Sequence, residues 1–228
     1  MKTKAELKRM RNKQNREGIF SIYSLLYSII AIAIMLNLGI RHINDIDSYG
    51  VAWGRYALFH AGLGLIGLVT MLLISYRDIR ANGLKKVDSD SVLYLFVTII
   101  VIVLSQVLVQ FISGYIPFSI SDSEKALYHI FSSITEELFF RGFIITIFCY
   151  RTNRAIFKAI GVILSGIAFA LFHQNYWDNI PVLIAIGIGG SLIAIVYIVS
   201  EFDYTAISLG HTTYNVIVTI KELSKIIV

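Results

Sequence analysis

Residues 19–40 carry no charged side chain, and apolar runs of that kind recur down the chain. A bilayer core of about 30 Å takes roughly 20 helical residues to cross, so the longer runs have the length of a membrane-spanning helix, while Ala159–His173 and Thr205–Ile220 are short. After Ile19–Ile40 come Ala57–Tyr76, Val92–Phe118, Lys125–Tyr150, Ala159–His173, Ile180–Val199 and Thr205–Ile220. The pattern predicts an all-α, polytopic membrane bundle of about seven helices, with Pro117 read as the end of the third. Composition agrees: only 15% of the 228 residues are charged and 56% are hydrophobic, whereas soluble domains carry about 25% charged residues. Disorder, collagen-like repeats and an ordinary nucleic-acid-binding module are excluded, and nucleic acid is not expected as a partner. Cys149 is the sole cysteine, so no internal disulfide forms and no thiol-metal spacing exists.

Basic residues set the expected orientation, because cytoplasmic loops are enriched in Lys and Arg. The leader, residues 1–18, holds seven: Lys2, Lys4, Lys8, Arg9, Arg11, Lys13 and Arg16. Arg77, Arg80, Lys85 and Lys86 follow in one loop, and Arg151, Arg154 and Lys158 in another on the same side. The opposite side has Arg41, Arg55, Lys125, Lys221 and Lys225. A cytoplasmic amino terminus and an uncleaved first helix are therefore expected, in an integral membrane protein. Three regions follow: the leader 1–18, the N-terminal helices 19–124 and a core 125–228. Glycines 161, 166, 187, 189 and 190 have the spacing of close helix–helix contacts.

Within the core, polar groups occur where lipid should have excluded them. A charge at the bilayer centre costs on the order of 3 kcal/mol on insertion scales and marks a functional site by default. The run Thr-Glu-Glu-Leu-Phe-Phe-Arg-Gly holds Glu136, Glu137 and Arg141. Glu137 and Arg141 are four apart, share a helix face and are expected to pair. Glu136 points about 100° away and is left without that cation. Phe169 and His173 are four apart on the next helix, and His211 and Asn215 four apart on the last. At 1.5 Å per residue, Glu136, His173 and His211 fall within a layer about 10 Å thick. His42, His60 and His129 read as interface or core residues, and Phe139, Phe140 and Phe143 as packing.

A carboxylate with two imidazoles and a carboxamide is a set suited to activating water. The carboxylate of Glu136 takes a proton from water and returns it to a leaving amine. His173 holds the water, while His211 and Asn215 offer N–H groups to a developing oxyanion. No serine sits on a nucleophile elbow. Glu136, His173 and His211 are also a familiar catalytic zinc set, so a divalent metal such as zinc stays open beside a metal-free site. No His-Glu-x-x-His helix is present.

The order Glu-Glu-x-x-x-Arg (136, 137, 141), Phe-x-x-x-His (169, 173) and His-x-x-x-Asn (211, 215) resembles the CPBP family. These intramembrane proteases include the type II CAAX prenyl endopeptidases and the bacterial Abi, or bacteriocin-immunity, proteins. The resemblance covers roughly Lys125 to Ile220 and implies a helical bundle with a catalytic cavity inside the membrane. It puts the catalytic set on Glu136, His173, His211 and Asn215, with Glu137 and Arg141 supporting. It also implies a membrane-associated peptide or protein substrate, lipidated or of bacteriocin type, and leaves metal dependence open, since both metal-dependent and glutamate-dependent chemistry is attributed to the family. The expectation is an intramembrane endopeptidase using a glutamate-activated water. Its rivals are a non-catalytic scaffold or immunity protein retaining the family core, and a proton-coupled transporter.

Overall fold

The computed structural model describes residues 49–74, 87–114, 131–149, 154–173 and 176–227. The leader, the first expected span and the basic residues at 77–86 lie outside the described residues. Among those described there are only helices and turns, no strand. We label them α1 (Tyr49–Ile74), α2 (Ser89–Ser113), α3 (131–149), α4 (Ala155–Phe172), α5 (Ile180–Val199) and α6 (Tyr204–Ile227). Three of them, α2, α4 and α5, are long and apolar enough to cross a membrane.

Helix ends follow local chemistry. Asp88 caps α2, its side chain accepting from the Ser91 N–H at 2.8 Å; such caps satisfy one of the unpaired donors of a first turn. The helix stops at Ser113 because Gly114 adopts a left-handed conformation (φ 63°) and returns its N–H to the Gln110 carbonyl. The end expected at Pro117 is thus reached earlier, at the glycine. Asn179 caps α5, with Pro181 in the first turn. Asp203 starts α6 by accepting from the Ala206 N–H, and its second carboxylate oxygen accepts from the Ser91 hydroxyl at 2.6 Å. That bond ties the starts of α2 and α6.

α3 sits centrally and packs against α1, α4, α5 and α6. Every residue from 139 to 149 is buried, the charged Arg141 included. Lipid tails are as apolar as leucine, so association rests on close packing and on polar bonds between helices. Gly67 shows how close: a Cβ there would lie 1.9 Å from the Leu138 carbonyl oxygen. Gly166 likewise meets Gly187 and Ser191 across α4 and α5, and Gly189 meets Ser105 across α5 and α2. The glycine spacing seen in the sequence is a packing device.

One segment departs from a regular α-helix. Leu138–Ile145 forms a π-helix, with the Thr146 N–H reaching back five residues to the Arg141 carbonyl. Wide turns of this kind are rare and occur frequently at functional sites. Carbonyls in the wide turn receive extra donors: Ser165 Oγ to Phe140 O at 3.2 Å and Thr146 Oγ1 to Arg141 O at 3.2 Å.

Candidate active site

Glu137 and Arg141 straddle the start of the wide turn. The expected pair is present, with Arg141 Nε 3.1 Å from Glu137 Oε2 and both side chains fully buried. It is not closed on itself, as spacing along one helix had implied. Glu137 Oε1 lies 2.8 Å from His211 Nδ1, so a single carboxylate joins a cation on its own helix to an imidazole on α6. Since a carboxylate only accepts, Nδ1 carries the proton, which leaves Nε2 as the lone-pair nitrogen of the neutral ring. Acidic partners of this kind orient a histidine ring and select its tautomer. The role first read for His211, donating an N–H to an oxyanion, therefore requires the ring to hold both protons.

Arg141 is anchored on two further sides. Nη2 donates to the Gly190 carbonyl at 3.1 Å, linking α3 to α5. The guanidinium lies 5.1 Å above the Phe169 ring and 5.9 Å from that of Phe140, contacts in which the ring faces attract the cation. A Cβ on Gly190 would come within 2.9 Å of Phe169, so the absence of a side chain there lets the aromatic ring and the arginine share one space.

His173 occupies the C-cap of α4. Its Nδ1 lies 2.8 Å from the Phe169 carbonyl oxygen. A carbonyl has no proton to give, so Nδ1 donates and Nε2 presents a lone pair. Phe169 also packs against the imidazole, ring centroids 4.6 Å apart. The four-residue spacing of Phe169 and His173 thus has a direct structural expression.

Glu136 stands outside the ion pair and is partly buried, as is His173. It lies within electrostatic reach of His211, Glu137 and Arg141, and His173 within reach of His211 and Arg141. Among the described residues no hydrogen bond joins Glu136 to His173. Asn215 follows His211 by one turn of α6 and is buried. Among the described residues, no three His, Cys, Asp or Glu side chains converge closely enough to hold a metal ion. As arranged, Glu136, His173 and His211 do not fit a zinc site.

Sequence reasoning missed two contributors. His60 of α1 hydrogen-bonds Thr135, the residue before Glu136, at 3.0 Å. Ser133 and Thr212 place their hydroxyls 3.0 Å apart, pinning α3 to α6 beside the Glu137–His211 contact. His60 was visible as a polar interruption of an apolar run; nothing local distinguishes Ser133 or Thr212. Phe139 packs against Phe140 and Phe143, and Phe139 and Phe140 against Phe172, as expected of packing residues, all three fully buried.

Residues 125–217, less than half of the chain, match the family described as type II CAAX prenyl endopeptidase Rce1-like. No curated protein and no solved structure matches the chain. The matched segment spans α3 to α6 up to the turn after Asn215 and contains Glu136, Glu137, Arg141, His173, His211 and Asn215. Over residues 125–217 the chain is therefore similar to the type II CAAX prenyl endopeptidases.

Proposed function

We propose that the protein hydrolyses a peptide bond of a membrane-associated substrate with a water activated by Glu136. The observation that carries the reading is the Glu137 carboxylate, shared between Arg141 and His211. It occupies the local cation and leaves Glu136 as the carboxylate available for proton transfer. In the proposed reaction Glu136 removes a proton from water, and the resulting hydroxide adds to the scissile carbonyl carbon. The Nε2 lone pair of His173 accepts a hydrogen bond from that water and orients it. The carbonyl oxygen becomes an oxyanion and accepts hydrogen bonds from the Asn215 amide and from His211, whose ring must then carry both protons. Glu136 returns its proton to the amine as the carbon–nitrogen bond breaks, which restores the starting state.

Region 125–228 is then the catalytic core, preceded by helices that seat it. The reading also takes the amino terminus as cytoplasmic, from the distribution of basic residues, and the substrate as lipidated or peptidic and presented from the bilayer of the cell membrane.

The test is cleavage by the purified protein in lipid nanodiscs of an internally quenched, farnesylated peptide ending in a Cys-aliphatic-aliphatic-residue sequence, alongside the same peptide without its lipid. Glu136→Gln and His173→Ala are expected to lower turnover by about 10²–10⁴-fold, the usual contribution of a positioned acid–base group, while still inserting. Cleavage that survives Glu136→Gln overturns the glutamate-activated water, and no cleavage of either peptide by the wild type overturns the proposal and favours a scaffold.

A further inference from the structure

His60 lies in the apolar stretch Phe59–Leu72 of α1 and outside the segment matched by the family. It is only 4% exposed, and an ionisable side chain buried within a membrane helix needs a reason to be there. Its Nδ1 lies 3.0 Å from Thr135 Oγ1. That hydroxyl also sits 2.9 Å from the Ser132 carbonyl, which accepts its single proton, so its lone pair remains for the His60 N–H. The neighbouring residue on α1 makes the matching contact on α4: the Phe59 ring stacks on Phe172, centroids 5.9 Å apart. Two consecutive residues of α1 therefore grip Thr135, immediately before Glu136, and Phe172, immediately before His173.

Further along the same face, α1 is pressed into α3. Gly64 lies against Thr135 and Leu138, Gly67 against the Leu138 backbone, and Met71 against Gly142. This apolar seam sets the distance between the helices but supplies no directional bond; the His60–Thr135 hydrogen bond does. A carboxylate about 6 Å from a helix axis moves about 1 Å when the helix turns by about 10°. Displacements of that size cost catalysis about a hundredfold.

We propose that His60 is a positioning residue, which sets the rotation of α3 through Thr135 and thereby the aim of the Glu136 carboxylate. The inference rests on the proposed role of Glu136 and extends the active unit to a helix before the family segment. An asparagine at position 60 can offer its side-chain N–H near the place of Nδ1; a glutamine carries its N–H one bond farther out, and a leucine has none.

The experiment compares kcat and KM for the farnesylated quenched peptide in nanodiscs, with thermal unfolding of each variant recorded in parallel. His60→Leu, His60→Gln and Thr135→Val are expected to lower kcat by about tenfold to a hundredfold with KM unchanged. His60→Asn and Thr135→Ser are expected to stay within a few-fold of wild type. The double variant His60→Leu/Thr135→Val should be no slower than either single one, since both remove one bond. Wild-type kcat in His60→Leu, or equal losses in His60→Asn and His60→Leu with a lowered unfolding midpoint in both, overturns the positioning role. Glu136→Gln separates the two readings. If cleavage needs Glu136 but ignores His60, only this inference falls; if cleavage survives Glu136→Gln, the catalytic reading falls and this one with it.

Discussion

Glu137 on α3 and His211 on α6 approach to 2.8 Å between Oε1 and Nδ1, inside a bundle where lipid provides no drive for helices to associate. The contact is both a joint between helices and a setting for the imidazole. Removing the carboxylate strands Arg141, which is fully buried. Breaking a buried pair by deleting one partner costs about 3–5 kcal/mol. Glu137→Gln is therefore expected to lower the thermal unfolding midpoint markedly and to cut turnover as the His211 ring loses its orientation. An unfolding midpoint equal to wild type would show that the pair does not hold the bundle.

Arg141 should not tolerate lysine. The guanidinium meets Glu137 through Nε, Gly190 through Nη2 and the Phe169 face through its plane. One ammonium cannot serve all three directions. Loss of the hydrogen bond to Gly190 alone is worth about 1.5–3 kcal/mol for a charged donor. Arg141→Lys is expected to be less stable by at least that amount in chemical unfolding; wild-type stability would contradict the anchoring described.

Two glycines predict different effects on turnover. Alanine at Gly67 places a methyl group against the Leu138 backbone, and α1 must move away. Overpacking of this sort costs about 1–3 kcal/mol, and a shift of α1 also displaces His60, so Gly67→Ala should lose both stability and turnover. Among the described residues nothing lies within 4 Å of a Cβ at Gly114, but its backbone is left-handed. Gly114→Ala should cost about 1–2 kcal/mol and leave turnover unchanged. Equal effects on turnover would refute the distinction.

Chelation is expected to leave cleavage intact, because the His and Glu donors do not converge on a common point. Activity should be measured after prolonged dialysis against a strong chelator, then after zinc is added back. Loss on dialysis with recovery on zinc would mean that the donors rearrange around a metal in the working enzyme.

The parts of the fold governed by local chemistry were legible in the sequence. α5 begins and ends where expected, Ile180–Val199, because Asn179 and Pro181 mark its start and the apolar run stops at Ser200. α4 starts four residues before expectation, at Ala155, since Lys158 sits within the helix instead of bounding it. The wide turn at Leu138–Ile145 had no signature: its residues read as an ordinary apolar helix, and one of its extra donors, Ser165, comes from α4. At the site, Glu137 and Arg141 were readable because both lie on one helix. The His211 contact was not, because a residue on another helix decides it.

The burial of residues 139–149 on every side bears on how freely this chain can drift. Each of those positions is negotiated with several neighbours at once, so a change at one requires a matching change elsewhere. The face of α2 that carries Leu93, Phe96, Ile100 and Leu104 is exposed, and one greasy residue serves there as well as another. Variation should therefore accumulate on the rim of the bundle while its central rod stays nearly frozen.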